Sequence, residues 1–268
     1  VHRITQDGLV FYRFDRLAGM SGLEHGVFTR LGGVSSGPYE SLNVGSTVGD
    51  EPANVQVNRA RVAGTMGVRD ADTRTTWQVH SADVLVIGGR ESQDWPPPKA
   101  DAIITDRVGV PLIMRFADCV PVVLYDPVRY ALGLAHAGWR GTVTRTAPAA
   151  VEAMRDAFGC RPEDLIAGIG PAIGPCCYEV GPEVVAQVRD AFGDADSLIH
   201  RPSPNGGNPR FDLWEANRRA LREAGVEQIE VAGLCTACNT HEFYSHRAEA
   251  GRTGRFGLLA VLRDGREI

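Results

Sequence analysis

The apolar positions of this chain fall first into short β-prone runs and later into stripes at helical spacing. Residues 9–14, 26–29, 75–79, 84–87 and 102–105 predict strands, and 120–125 and 130–135 are apolar enough for strands buried on both faces. From 142 to 158, Val143, Ala147, Val151, Met154 and Phe158 recur at the spacing of one helix face. Pro148 interrupts that helix, since beyond the first turn proline removes a hydrogen bond. A second helix opens at Pro182 after Gly181 and stops at Gly193. A third begins with Asp212-Leu213-Trp214-Glu215, which fits a capping box, and ends at Gly225. Its apolar stripe of Leu213, Ala216, Ala220, Leu221 and Ala224 also carries Asn217, whose buried amide must find partners; a structural hub is the simpler reading and a site residue the other.

Strands crowd the first part of the chain and helices the second, so the order is not a βαβ alternation. Mixed sheets with helices segregated on the outside, an α+β arrangement, fit better. Two loops are marked by composition: Asp94-Trp95-Pro96-Pro97-Pro98-Lys99, stiff and extended, and residues 201–209, rich in Pro, Gly and Asn. Neither separates two self-contained sets of apolar segments, so residues 1–268 are expected to form one domain.

Composition narrows the function classes. With 43% apolar and 23% charged residues, the chain can bury a large core without disulfide staples. No apolar run is long enough to cross a membrane, and Val1-His2-Arg3-Ile4 shows no signal-peptide pattern, so a cytoplasmic protein is expected. A net charge of −5 argues against a nucleic-acid or membrane-surface partner, both of which favour a basic face. Among the 28 basic residues Lys99 is the sole lysine. A genome rich in arginine codons is the simpler reading of that bias; the other is anion recognition through the guanidinium fork, which only a few of the arginines could serve. Six cysteines, two of them adjacent at Cys176 and Cys177, do not form a secreted disulfide framework.

Three segments place a metal-capable side chain at the edge of an apolar strand: Trp77-Gln78-Val79-His80-Ser81, Phe116-Ala117-Asp118-Cys119-Val120-Pro121 and Ala135-His136-Ala137-Gly138-Trp139-Arg140-Gly141. One thiolate and two imidazoles suit zinc, and three ligands with a fourth position open is the catalytic kind of site. Residue types alone leave the alternatives standing: Cys119 as a small buried hydrophobe, His80 and His136 as hydrogen-bonded core histidines. Gly138-Trp139-Arg140-Gly141 follows at a strand-to-helix passage where backbone N–H groups and a guanidinium could meet an anion. Residues Phe28-Thr29-Arg30-Leu31-Gly32-Gly33-Val34-Ser35 form a second candidate anion nest, or else only a tight turn. The Cys235-Thr236-Ala237-Cys238 pair has no second pair at suitable spacing and reads as structural, with Cys235 against the pocket; Cys176 and Cys177 read as loop packing.

These motifs, together with Gly170-Pro171-Ala172-Ile173-Gly174-Pro175-Cys176-Cys177-Tyr178-Glu179-Val180, Cys235-Thr236, Tyr244-Ser245-His246-Arg247 and Thr253-Gly254-Arg255, resemble the bacterial laccase-domain family in the family's own order. The chain departs from the pattern at Ser245-His246-Arg247-Ala248, where the family commonly has an aromatic and a second arginine. The resemblance implies an α/β/β/α sandwich and a metal held by His80, Cys119 and His136. It also implies activities described as polyphenol oxidase and, now, as purine nucleoside phosphorylase, adenosine deaminase and methylthioadenosine phosphorylase. On that basis Cys119, His136 and Asp118 are the candidate catalytic residues, and Arg30, Arg140, Gln78 and Asn43 the candidates for binding substrate or phosphate. The expected metal is zinc, with copper the alternative; the expected partners are purine nucleosides and phosphate, in a monomer or homodimer.

Three rivals remain. A multicopper oxidase needs a histidine-rich cluster beside its His₂Cys centre, which seven histidines without an H-x-H pair do not suggest. A hydrolytic enzyme would use Cys119 as nucleophile and His136 as base, and the family resemblance implies for it a cysteine-type amidase editing peptidoglycan precursors. A closed structural metal site would recruit Cys235 or Cys238 as fourth ligand.

Overall fold

The computed structural model describes residues 1–88, 95–200 and 207–265. Asp94 of the proline-rich loop and residues 201–206 of the second loop lie outside the described residues. The strands among them are β1 (His2–Gln6), β2 (Leu9–Arg13), β3 (Leu23–Phe28), β4 (Val84–Ile87), β5 (Ala102–Thr105), β6 (Pro111–Phe116), β7 (Val120–Asp126), β8 (Ala131–Ala137), β9 (Ile166–Ile169), β10 (Ile199–His200), β11 (Arg210–Phe211), β12 (Gln228–Val231) and β13 (Phe256–Leu262). The helices are α1 (Asp15–Ala18), α2 (Pro52–Thr65), α3 (Trp139–Val143), α4 (Thr146–Phe158), α5 (Pro182–Phe192) and α6 (Leu213–Glu223).

Two sheets carry the architecture. One is antiparallel throughout, in the order β1-β2-β3-β13-β6; the other is mixed, in the order β12-β9-β7-β8-β5-β4, with parallel pairs at its two edges. They pack face to face across Phe116, Phe256, Leu258, Val123, Tyr125 and Leu134. Helices α4, α5 and α6 cover the outer face of the mixed sheet, and α2 covers the outer face of the antiparallel one. The α+β sandwich of α/β/β/α layers expected from the sequence is the fold observed. Alternation along β7 shows how it forms: Val120, Val122 and Leu124 face the helices, and Val123 and Tyr125 the opposite sheet. Each such fully buried side chain contributes roughly 1.5–3 kcal/mol of transfer free energy, which is why both-face burial drives the layering.

The division into a strand half and a helix half does not hold. Helix α2 lies early in the chain, and β13, near its end, sits inside the antiparallel sheet between β3 and β6. Residues 75–79 form no strand: Trp77 exchanges backbone hydrogen bonds with Pro98 and Ala100, whereas Arg74 does so with Pro111 and Ile113, so no continuous ladder develops. The helix expected over 142–158 is broken at Arg145, whose φ of 68° lies in the left-handed region. Helix α4 therefore starts at Thr146 and Pro148 falls in its first turn, where no hydrogen bond is lost. Asp212 caps α6 by accepting from the Glu215 N–H at 3.0 Å. Asn217 is the structural hub: its amide donates to Thr142 Oγ1 and Leu213 O, both at 2.9 Å, tying α6 to α3.

Candidate metal centre and anion pocket

The site forms where the chain crosses from one sheet to the other. β6 ends in the antiparallel sheet at Phe116 and β7 begins in the mixed sheet at Val120. Ala117-Asp118-Cys119 makes the crossing, with Asp118 at a φ of 80°. The register pairs Pro121 with His136 and Val120 with Ala137, so the start of β7 and the end of β8 place Cys119 beside His136. His80 enters from the loop before β4, again in the left-handed region at a φ of 64°. Gly138 makes room for the ligands: a Cβ there would lie 2.7 Å from Cys119 Sγ and 3.2 Å from His80 Cδ2.

The ligand atoms of His80, Cys119 and His136 all lie within 4.8 Å of one another, and Cys119 Sγ is 3.9 Å from His80 Nε2. His136 Nδ1 meets Asp101 Oδ1 at 2.8 Å, which leaves Nε2 to face the pocket. A carboxylate behind a ligating imidazole fixes its tautomer and raises its basicity, and this arrangement fits a metal. Asp101 does more. It is fully buried, and its Oδ2 accepts from the N–H groups of Val79 at 2.9 Å and Ser81 at 2.7 Å, the two residues flanking His80. One carboxylate thus holds both histidines. Burial pushes the Asp101 carboxyl up, but the hydrogen bonds from His136 and Ser81 outweigh it and keep the group below the ordinary carboxylate value.

The same balance acts on the ligands. Burial raises the Cys119 thiol, yet the charge and hydrogen bond of His136, followed by His80, bring it down to about 6. Burial lowers His136, yet the Cys119 thiolate and Asp101 lift it to about 9. Without metal the pair is a thiolate and an imidazolium. Because the Cys119 value is depressed, its thiolate form is present above it: in metal-free protein, iodoacetamide labelling of the Cys119 peptide is expected to titrate with a midpoint of about 6. A midpoint in the usual range of about 8.5 would show that His136 is not charged beside it.

The triad opens on a pocket of about 550 Å³. Its wall carries Arg115, Arg140, Arg247 and Arg255 with Trp77, Trp139 and Tyr178. Among the described residues none of these four guanidiniums lies within 4 Å of a carboxylate oxygen. Arg115 donates to Gln78 Oε1 and Thr76 O, Arg247 to Glu179 O and Arg255 to the carbonyls of Thr253 and Gly254. The Arg140 guanidinium stacks over Trp139 at 4.6 Å. Burial and the charges of Arg59 and Arg255 lower Arg115 to about 10, so it remains a cation at neutral pH.

Of the sequence candidates, His80, Cys119, His136, Asp118, Gln78 and Arg140 line this pocket. Arg30 and Asn43 do not. Arg30 is consumed by Glu249 at 2.9 Å, by the carbonyls of Glu40 and Thr240, and by the ring of Tyr244. Asn43 bonds Gly45, Asp50 and the Arg255 N–H, holding the backbone that presents Arg255. The glycines after Arg30 are no anion nest either: the N–H groups of Leu31, Gly33, Val34 and Ser35 are taken by Thr29, Ser41, Asn58 and Ser41. Gly33 is there for packing, since a Cβ would meet Ser41 O at 2.0 Å. Both Asp118 oxygens are occupied, by Thr236 Oγ1 and by the Arg247 N–H, each at 2.6 Å, which places Asp118 in support of the pocket wall. The Gln78 amide likewise holds Arg115 through its N–H, Nε and carbonyl. Sequence reasoning passed over Asp101 and Arg115; an acidic residue opening the apolar run 102–105, and an arginine inside Pro111-Leu112-Ile113-Met114-Arg115-Phe116, were the signals.

Residues 24–263 match the family model described as multi-copper polyphenol oxidoreductase laccase. The chain is 40% identical over 259 residues to a Deinococcus radiodurans protein named purine nucleoside phosphorylase, covering 97% of this chain and 95% of that one. It is 40% identical over 250 residues to purine nucleoside phosphorylase YlmD of Geobacillus stearothermophilus, covering 90% of each. The crystal structure of YlmD from Geobacillus stearothermophilus matches the fold with a TM-score of 0.89 at 36% identity, covering 98% of this chain and 99% of that one.

Proposed function

The chain belongs to the multi-copper polyphenol oxidoreductase laccase family, and from that premise we propose that it is a purine nucleoside phosphorylase with zinc held by His80, Cys119 and His136. Its substrates are adenosine, inosine, guanosine and methylthioadenosine, each converted with phosphate to free base and pentose 1-phosphate, and adenosine is also deaminated at this site. One observation carries the reading: the metal-ligand set shares a single pocket with four guanidiniums that have no carboxylate partner among the described residues. A phenol gives no reason for that concentration of positive charge. A phosphate dianion does, because guanidinium forks match its oxygens.

In phosphorolysis a phosphate oxygen bonds to the anomeric carbon while the bond from that carbon to the purine nitrogen breaks. The electron pair leaves with the base, which takes up a proton, and the sugar passes through an oxocarbenium-like state. Arg115, fixed by Gln78 and Thr76, and Arg247 and Arg255, fixed by backbone carbonyls, hold the phosphate in one orientation. Arg140, stacked on Trp139, supplies the fourth guanidinium of the same wall. The faces of Trp77, Trp139 and Tyr178 offer the purine ring apolar walls. Asp101 holds a proton on His136 Nδ1, which leaves Nε2, once it gives up its own proton, as the ring atom a metal would take. When bound, zinc supplies a Lewis acid that stabilises charge on the departing purine and, for deamination, acidifies water.

Metal analysis beside assays with adenosine plus phosphate, and with adenosine alone, tests this. Loss of about one zinc ion per chain in Cys119→Ala, with adenine released by the wild type only when phosphate is present, supports the phosphorylase. Several coppers per chain with phenol oxidation and no purine product overturn it. Among the described residues the two groups able to hold a metal are this triad and a set of four cysteines, so no histidine-rich second copper centre accompanies it.

One geometric feature favours a second reading. Cys119, His136 and Asp101 stand in line as nucleophile, base and orienting carboxylate, which is the order a thiol amidase uses. Chelation separates the two: a metal-stripped amidase keeps its hydrolysis, whereas the phosphorylase loses turnover.

A further inference from the structure

Away from the ligand triad, Cys176, Cys177, Cys235 and Cys238 converge from two turns, 58 residues or more apart in the chain, so that all four sulfur atoms lie within 4.8 Å of one another. Cys177 Sγ is 3.3 Å and Cys176 Sγ 3.5 Å from Cys238 Sγ. A tetrahedral thiolate site with metal–sulfur distances of ~2.3 Å has sulfur–sulfur edges of about 3.8 Å, inside the range observed. The first turn is closed by Gly174 O, which accepts from the N–H groups of Cys177 and Tyr178. The second is closed by Cys235 O, which accepts from Asn239 N at 3.1 Å and Asn239 Nδ2 at 2.8 Å. The Gly174 N–H, in turn, donates to Cys235 Sγ at 3.3 Å, a bond that favours a thiolate there. Backbone bonds between Ala172 and Leu234 and between Thr236 and Ala172 join the two turns side by side.

We infer that these four cysteines form a second metal site, a closed tetrathiolate centre for a zinc-like divalent cation, structural in role and separate from the triad. A single disulfide would pair Cys238 with one neighbour and leave two converging sulfurs unused; a metal uses all four and matches a closed structural shell. The sequence reading of Cys235–Cys238 as lacking a second pair, and of Cys176 and Cys177 as loop packing, missed that the two turns supply one pair each. The centre has a definite mechanical place. Tyr178, directly after the first pair, lines the pocket, and Thr236, between the second pair, holds Asp118 Oδ1 beside Cys119. Binding displaces the thiol protons to solvent and fastens both turns to the pocket wall.

The test counts metal on protein purified under reducing conditions and does not depend on the phosphorylase reading. Wild type is expected to hold about two zinc ions per chain, Cys119→Ala about one, and Cys119→Ala combined with Cys176→Ser and Cys238→Ser none. Cobalt loaded into Cys119→Ala is expected to show sulfur-to-cobalt charge-transfer absorption and the visible bands of a tetrahedral ion. Since Cys119→Ala leaves all four cysteines in place, this readout does not require the cluster variants to fold. A single ion in wild type that vanishes in Cys119→Ala overturns the inference. So does a peptide two hydrogens lighter across Cys176 or Cys177 and Cys238 in protein alkylated in the cell lysate before any reductant is added, which marks a disulfide.

Discussion

Cys119→Ala is expected to remove the metal from the triad and lower phosphorolysis by about 10³ or more, with the metal-free fold retained but destabilised by the loss of the Cys119–His136 ion pair. Losing the ligand removes several kcal/mol of transition-state charge stabilisation, and roughly 4 kcal/mol corresponds to that factor in rate. The loss in kcat and in kcat/KM should be similar, because the interaction is made in the transition state. Phosphate affinity should change far less, since the arginines of the wall are untouched. The fold is expected to tolerate the change: Cys119 lies at a sheet crossing and packs only at the rim of the inter-sheet core. Zinc content, steady-state kinetics at varied phosphate and denaturation of the metal-free proteins check each part. Retention of turnover in a variant without metal at the triad would sink the metal-centred reading.

Much of the framework was legible because local signals and tertiary contacts agree. Pro182 at the start of α5, Asp212 capping α6 and the apolar runs at β4 and β5 need no knowledge of the rest of the chain. What escaped was set by long-range contact. Helix α2 hides because its inward stripe of Val55 and Val62 is interrupted by Asn58, which is buried and satisfied by Ser35, Ser41 and Asn43. β13 hides because it is buried on both faces, Leu258 and Ala260 against one layer and Leu259 against another, so it shows no alternation. The three candidate ligands stood out by residue type, Cys119 and His136 beside strand ends and His80 in a loop that the sequence read as a strand end. Arg30 was a false lead for an equally physical reason: a glycine pair beside an arginine looks the same whether it wraps an anion or packs against Ser41, and only the partners of its N–H groups decide. The four cysteines were visible, but not their meeting, which depends on the pairing of Ala172 with Cys235 across the sheet edge.

Asp101 deserves the second mutation because its one carboxylate organises both histidines without touching substrate. In Asp101→Asn the shape is kept, but only one side-chain oxygen remains as acceptor. The native oxygens serve His136 Nδ1 on one side and the N–H groups of Val79 and Ser81 on the other. With the amide oxygen kept on the Val79 and Ser81 N–H groups, its NH₂ faces His136 Nδ1, where it either meets a protonated nitrogen, at a cost of about 1–3 kcal/mol, or forces the imidazole into the tautomer protonated on Nε2. Losing a fully buried charge that is paired and hydrogen-bonded adds to this, for a total of about 3–5 kcal/mol in metal-free stability. Metal affinity at the triad is expected to fall about 10–100-fold, as the His136 ring loses its orientation and basicity. The pH dependence identifies the cause. The native carboxyl is held below its ordinary value of 3.8, so its contribution to stability is full above that value and is lost as pH falls through the lower folded one. The stability gap between wild type and Asp101→Asn should therefore shrink in acid, and it should also shrink as pH rises from about 6.5 through about 9, where His136, lifted in part by Asp101, gives up its proton. Urea titrations of both metal-free proteins across that range, with zinc affinities measured at neutral pH, carry the test. A gap that stays constant into acid, or a variant that binds zinc as tightly as wild type, would show that the two histidines are held by the surrounding backbone rather than by Asp101.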